Sequence, residues 1–373
     1  MNNKKDVKKN ILPHTQAKLD LFKGYLEHYL RILCHAECFQ INIFDIFCGA
    51  GVYDDGKKGS PLLALDCINK INDEIINNKV RITLTVNDFD GRKVENVKQN
   101  INTQTINNCK VEYYNEDANT MFDIVASKVN SFPKNNRNLV FIDPYGYSTI
   151  NKDKITNLLE NKHTEIILFL PVMQMYRFTQ KALQDEESAK YEPLRNFINS
   201  FFNNNTEINN NSIFEYILSI KQVLSINDIY YTCSHYIERE KGNYYALFFI
   251  GSNIYGLEKM LETKWKLAPV SGRGFNQQKG IGFFDEEFQE IDKTRRLSNL
   301  ESIILQTINK KSVLDNNDLY ELSLKNEFLP KHANQALKNL LKRNKIQVDK
   351  QTGYGIEYKN WKNKIVISNF SAK

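Results

Sequence analysis

Several things are missing from this chain, and each absence closes off a class of protein. Nothing in its 373 residues approaches the roughly 18–20 consecutive apolar residues of a membrane-spanning helix. The N-terminus, Met1-Asn2-Asn3-Lys4-Lys5-Asp6, lacks the apolar core of a secretory signal. The six cysteines, at 34, 38, 48, 67, 109 and 233, form no Cys-x-x-Cys pair. Cys34 and Cys38 stand four apart on an expected helix, but no second pair and no histidine follows at zinc spacing. No metal site is therefore expected, and the cysteines read as reduced, buried residues of a cytoplasmic protein. No internal repeat is evident. Net charge is missing too, from most of the chain. Residues 1–289 hold 34 Lys/Arg against 35 Asp/Glu, so the excess of +7 sits in residues 290–373, with 16 against 9. A basic tail of this kind suits a nucleic-acid-facing module, or else a solvated basic face.

What is present is ordinary in bulk. Apolar residues make up 41% and charged residues 25%, and the length allows one large domain plus a small one. The informative stretch is Asn42-Ile43-Phe44-Asp45-Ile46-Phe47-Cys48-Gly49-Ala50-Gly51. A buried strand runs into an aspartate and a Gly-x-Gly turn, where glycine permits both a tight turn and close approach of a ligand to the backbone. A second buried strand, 139–142, ends in Asp143-Pro144-Tyr145-Gly146. Two such strands imply a crevice at the carboxyl edge of a parallel sheet.

The rest of the chain supplies that sheet. Residues 1–14 are expected to be disordered, and a helix follows from Thr15 with Leu19, Phe22, Tyr25, Leu26, Tyr29, Leu30 and Leu33 at helical spacing. Strands are expected at 41–47, 80–87, 110–114, 138–142 and 165–170, with helices between them from Gly59-Ser60-Pro61, over 91–102, to about 130, and over 151–162. This alternation predicts a doubly wound, mostly parallel α/β sheet. Residues 172–222 break the rhythm as a helical insertion with an Asn-rich loop, and strands at 229–238 and 243–250 form a closing hairpin. A mostly parallel seven-stranded sheet, five parallel strands closed by an antiparallel hairpin, is the Rossmann-like pattern of class I S-adenosylmethionine (SAM) methyltransferases, here expected over residues 15–289. A Gly-rich loop is expected at 264–289. Beyond it, helices at 298–309, 315–326 and 330–343 and a hairpin at 346–348 and 356–358 follow winged-helix order. The third helix of this domain, 290–373, carries Lys331, His332, Lys338, Lys342 and Arg343, with Lys350 at the wing. Such a helix commonly enters a major groove.

The chemistry at the strand ends narrows the ligand. A dinucleotide site wants a third glycine, where this chain has Asp54, and Asp54 and Asp55 would repel a pyrophosphate. SAM carries a cationic sulfonium and no phosphate, so a site with Asp45 beside Phe47, Gly49 and Gly51 suits it better. Asp88 is placed to accept both ribose hydroxyls, Asp117 to accept from the adenine amine, and the Ala118 backbone to meet the ring. Asp90 reads as a helix cap. Singly, each aspartate is most often a cap or turn residue; acids at the ends of four successive strands are a less common accident. At the fourth, the Asp143 carboxylate and the Pro144 carbonyl form an acceptor pair for the two N–H groups of an exocyclic amine. That pair would turn the nitrogen lone pair toward the methyl group and stabilise developing charge. Pro144 adds rigidity. Tyr145 or Tyr147 is available to stack on the base, and Lys338, Lys342 and Arg343 to hold phosphates.

At these residues the chain resembles the three-Cys-motif partner proteins, bacterial proteins with a class I methyltransferase fold, often encoded near a three-Cys-motif protein. The likeness rests on Lys18 with Tyr25-Leu26, Asp45-Ile46-Phe47-Cys48-Gly49-Ala50-Gly51, Gly59-Ser60-Pro61 and Phe141-Ile142-Asp143-Pro144-Tyr145-Gly146, within residues 15–280. Cys48 and Ala50 depart from the alanine and proline common there. The resemblance implies fold, SAM and a partner protein, and leaves the substrate open. Asn87-Asp88, Glu116-Asp117-Ala118-Asn119 and Asp143-Pro144-Tyr145-Gly146 are also similar to the tRNA guanine-N2 dimethyltransferases, which have Asp-Pro-Phe-Gly at the catalytic loop. Gly146 departs from the Asp-Pro-Pro-Tyr type loop of adenine-N6 enzymes. These features point to an N-methyltransferase of nucleic acid, RNA over DNA and guanine N2 over adenine N6. The alternative is a non-catalytic SAM- or nucleotide-binding partner in a phage-defence or mobile-element system. A nicotinamide oxidoreductase is disfavoured by Asp54 and Asp55.

Overall fold

Pro13 opens the first helix, where its fixed φ and missing N–H are no handicap. In the computed structural model, which describes residues 10–75, 79–185, 188–202, 208–240, 243–269, 272–276, 285–349, 356 and 366–369, helix α1 runs Pro13–Cys34. It starts two residues before the expected Thr15. Its Leu19, Phe22, Leu26 and Leu30 are buried at three- and four-residue spacing, as an amphipathic helix requires.

The first five strands are parallel: β1 (Gln40–Asp45), β2 (Arg81–Asn87), β3 (Cys109–Tyr114), β4 (Asn136–Ile142) and β5 (Thr164–Leu170). Between them lie α2 (Ser60–Glu74), α3 (Gly91–Asn102), α4 (Ala118–Ser131) and α5 (Lys152–Leu159). Strand β7 (Asn243–Gly251) inserts antiparallel between β5 and β6 (Tyr231–Glu240), and short β8 (Gly274–Asn276) adds an eighth strand to the seven expected. The order is β3-β2-β1-β4-β5-β7-β6-β8. The order of strand addition reverses between the parallel neighbours β1 and β4, the place where doubly wound sheets open a crevice.

The insertion is helical as expected, with α6 (Val172–Gln184), α7 (Glu192–Phe201) and α8 (Ile213–Leu224). Its Phe197, Phe201, Tyr216 and Ile220 share one buried cluster with Leu168 and Leu170 of β5 and Phe248 of β7. The insertion therefore completes the core instead of hanging from it.

The described chain falls into two compact units, one within Met1–Ser252 plus Phe275–Gln278, the other within Asn253–Gly274 plus Lys279–Lys373. The change of unit at 252/253 lies well before the 289/290 boundary read from composition. The second unit begins with α9 (Ile254–Leu267), which was not expected, and α10 runs Asp285–Lys311, so the two ends of the expected 264–289 loop are helix; residues 270–271 and 277–284 lie outside the described chain. Lys264 of α9 is fully buried and meets Glu327 at 2.5 Å, the Trp265 indole donates to the Glu327 carbonyl at 3.1 Å, and the Tyr320 hydroxyl donates to Glu258 at 2.5 Å. These polar locks are invisible to composition. Helices α11 (Asn316–Lys325) and α12 (Pro330–Lys342) follow, with a sheet of order β10-β11-β9 made by β9 (Val313–Leu314), β10 (Ile346–Asp349) and β11 (Val366–Asn369). Strand β10 pairs with β11; of the expected hairpin strand 356–358 only Ile356 is described, and Lys350 and Gly353 also lie outside the described residues.

Candidate functional site

The loops after β1, β2 and β3 are tied to one another by side-chain amides. The Asn87 amide donates to the Ile46 and Glu116 carbonyls, both at 3.1 Å, and its carbonyl accepts from Glu116 N–H at 2.9 Å. The Asn115 amide donates to the Asp88 and Phe89 carbonyls at 2.9 Å each. In the sequence Asn87 stood out only as part of the Asn87-Asp88 motif and Asn115 not at all; Asn87 is buried and Asn115 exposed, and side-chain amides at strand ends are suited to such work. The glycine turn is thereby held rigidly at the sheet edge. Gly49 has φ +62°, and nothing lies within 4 Å of where a Cβ would stand. Gly51, at φ +79°, is packed instead: a Cβ there would meet Val97 Cγ2 at 2.9 Å. Gly49 is the open backbone and Gly51 the tight one.

The four strand-end acids have four different surroundings. Asp45 is buried at 1% exposure, and neither carboxyl oxygen has a hydrogen-bond partner. Burial pushes its pKa up to about 7; the Ser60 hydroxyl counters this from beyond hydrogen-bond geometry, and the nearby Asp143 charge adds to it. Asp88 is also buried, but its oxygens accept from Gly49 N–H at 3.1 Å and Asp90 N–H at 2.9 Å, so it braces the glycine turn. Asp117 is exposed and caps α4 through Asn119 N–H at 2.9 Å and Thr120 N–H at 3.3 Å; its bond from the Thr120 hydroxyl holds its carboxyl below the usual range. Ala118, partly buried, starts that helix. Asp90 caps α3, as expected, accepting from Arg92 N–H at 3.1 Å. Phe47 is partly buried against the core beside the turn, and Phe89, next to Asp88, is 78% exposed. That large open ring at the sheet edge was not singled out in the sequence.

Asp143 forms an ion pair with Lys18 of α1, a residue that is itself 9% exposed. Lys18 Nζ also stands 4.9 Å from the centre of the Phe169 ring. The sequence placed Lys18 among family signatures but not at the site, because 125 positions separate it from its partner. Pro144 is buried behind Asp143. Of the two tyrosines offered for base stacking, Tyr145 is 72% exposed, with Lys93 on its hydroxyl and 4.6 Å from its ring centre. Tyr147 lies in a short 3-10 turn, Tyr147–Thr149, packed edge-on against Phe197 at 5.5 Å, and burial raises its pKa. Its ring serves the core.

In the second unit, α12 buries Ala333, Ala336, Leu337 and Leu340 and exposes Lys331, Gln335, Lys338 and Lys342 along one face. Arg343 is exposed too, but its guanidinium pairs with Glu301. His332 does not join that face: its Nδ1 accepts from Leu329 N–H at 3.1 Å and its ring lies 4.2 Å from Trp265. Among the described residues no group of three or more His, Cys, Asp or Glu is placed to hold a metal ion, and no helix is long and apolar enough to cross a membrane.

Three helices and a small antiparallel sheet make this a winged-helix unit. Residues 274–353 match the family model of the GMT-like wHTH domain. No curated protein matches the chain. Among solved structures, a Legionella pneumophila protein is similar at 12% identity, covering 67% of this chain and 90% of its own, with a TM-score of 0.38. A dimethyladenosine transferase from Plasmodium falciparum is 13% identical over 65% of this chain and 70% of that one, with a TM-score of 0.30. Human methyltransferase-like protein 13, in complex with S-adenosylhomocysteine (SAH), is 11% identical over 77% and 92%, with a TM-score of 0.31. Scores this low carry no argument about chemistry. The Rossmann-like assignment of the first unit stands on its own strand order, and the winged-helix domain on its match and its elements.

Proposed function

We propose that the chain is a SAM-dependent methyltransferase acting on an exocyclic amino nitrogen of a nucleic acid base, RNA over DNA and guanine N2 over adenine N6. One observation carries the reading: β1 and β4 are adjacent, with Asp45 in register with Phe141, so the open Gly49 backbone and the Asp143-Pro144-Tyr145-Gly146 loop share one sheet edge. The residues fit the cofactor at two points. The orphaned Asp45 carboxyl offers a buried acceptor to a cationic ligand, and Phe89 offers an exposed ring to a purine. SAM supplies a methyl group on sulfur, which passes to nitrogen as the sulfur departs with its electron pair. Asp143, held by Lys18 through one carboxyl oxygen, keeps the other for an acceptor N–H. The Pro144 carbonyl takes the second N–H. Tyr145, exposed and held by Lys93 at its hydroxyl, can lie against a base. The exposed basic face of α12 supports nucleic acid as the carrier of that base.

The signatures around Lys18, Gly59-Ser60-Pro61 and Asp143 support membership of the three-Cys-motif partner family, with a three-Cys-motif protein as partner. One feature favours the rival reading of a binding protein without catalysis: Lys18 already occupies the Asp143 carboxylate. Two measurements decide. Mass spectrometry of the small molecule that copurifies should find SAM or SAH. Tritium transfer from labelled SAM to cellular RNA or DNA should be abolished by Asp143→Ala with SAM affinity kept within a few-fold. SAM binding with no transfer by the wild type selects the rival, and NAD binding without SAM refutes the methyltransferase.

A further inference from the structure

Lys18 stands where the acceptor would be held, and nothing in the reading above requires a lysine there. It projects from α1 into the carboxyl edge of the sheet, is 9% exposed, and is enclosed by the Asp143 carboxylate and the Phe169 ring at 4.9 Å. Asp45, buried and without a hydrogen-bond partner, is close enough for its ionisation to feel both Asp143 and Lys18. The acceptor side of the site therefore holds one largely buried cation paired with one half-buried carboxylate, with the buried carboxyl of Asp45 nearby.

We propose that Lys18 is a specificity-determining residue of the acceptor site: its ammonium neutralises Asp143, so the site takes a neutral nitrogen and turns away an ammonium. The inference rests on the methyltransferase reading and deepens it. An alkyl ammonium has no lone pair and must shed a proton before it can attack, and it needs an unopposed counter-charge to be held at all. Asp143, already paired, offers none, and a second cation beside Lys18 is repelled in a site of low dielectric. A base amine or amide is neutral. It needs only acceptors for its N–H groups, which the second Asp143 oxygen and the Pro144 carbonyl supply. On transfer the N–C bond forms as the S–C bond breaks, the sulfur keeps the electron pair, and the nitrogen then loses its proton to water.

The same charge logic applies to the cofactor, because SAM is a cation at sulfur and SAH is not. Calorimetry of SAM and SAH on the full chain gives the ratio Kd(SAH)/Kd(SAM) without any turnover. Lys18→Met leaves a carboxylate unopposed and should raise the ratio at least about threefold. Lys18→Arg should keep it, and Lys18→Met with Asp143→Asn should restore it. In labelled-methyl assays, Lys18→Met should raise transfer to polylysine relative to RNA by about tenfold or more, whereas a merely structural lysine would leave that ratio alone. If Lys18→Met fails to fold because it strands a partly buried charge, Asp143→Asn alone leaves the ammonium unpaired and should lower the ratio at least about threefold. Unchanged ratios in these variants overturn the proposal while leaving the methyltransferase reading intact. A wild-type protein that binds no SAM overturns both.

Discussion

Asp45→Asn removes a charge while keeping shape, and its effect should depend on pH in a defined way. Asp45 is 1% exposed with both carboxyl oxygens unpartnered. Its folded pKa is raised from 3.8 to about 7, chiefly by burial. Below pH ~4 the carboxyl is neutral in the folded and unfolded chain alike, and the variant should match the wild type. Between pH ~4 and ~7 the unfolded chain releases the proton and the folded chain keeps it. Wild-type stability should then fall relative to the variant by about 1.4 kcal/mol per pH unit. Above the folded pKa the difference levels off at about 4 kcal/mol, an upper bound since water and side-chain relaxation soften such costs. The buried Glu165, also raised to about 7 mainly by burial, titrates in both proteins and cancels. Urea midpoints of the cofactor-free proteins at pH 4, 6 and 8 measure this directly. A variant that is less stable than the wild type at pH 8, or a difference that does not change with pH, would refute the reasoning.

Two further outcomes test the second unit. A fragment of residues 253–373 should unfold cooperatively in urea, while 290–373, lacking α9 and with it Lys264, Trp265 and Glu258, should lose more than about 3 kcal/mol, since it breaks a buried ion pair and removes a large apolar face; equal midpoints would show α9 to be dispensable. Changing Lys331, Lys338 and Lys342 together to alanine should leave that unfolding curve in place, because all three are exposed, but flatten the log–log salt dependence of RNA and DNA binding by about 0.9 for each phosphate no longer neutralised. An unaltered slope would make the basic face a solvated or protein-docking surface. Arg343, paired with Glu301, should contribute less to the slope than any of the three lysines.

Local pattern was enough to reveal the strands and most of the helices. Buried, mostly apolar runs ending in Asp45, Asp88 and Asp143 marked parallel strands, because a strand covered on both faces reads as a near-continuous apolar run. Three-residue and four-residue apolar spacing marked α1, and Asp90 was legible as the cap of the helix that follows it. What each acid contacts within the chain was set by folding. Asp117 and Asp90 cap helices, Asp88 braces the Gly49 turn, and Asp45 is left without a partner; one residue type at equivalent positions was sorted by the backbone N–H groups that each fold-back brings near. Folding also settled that Lys18 meets Asp143, that Tyr147 and His332 turn inward, and that α9 joins the second unit through Lys264 and Glu327. Those pairings span tens to more than a hundred residues of chain. No periodicity encodes them, because a side chain's partner depends on where the backbone returns, and only the folded chain fixes that.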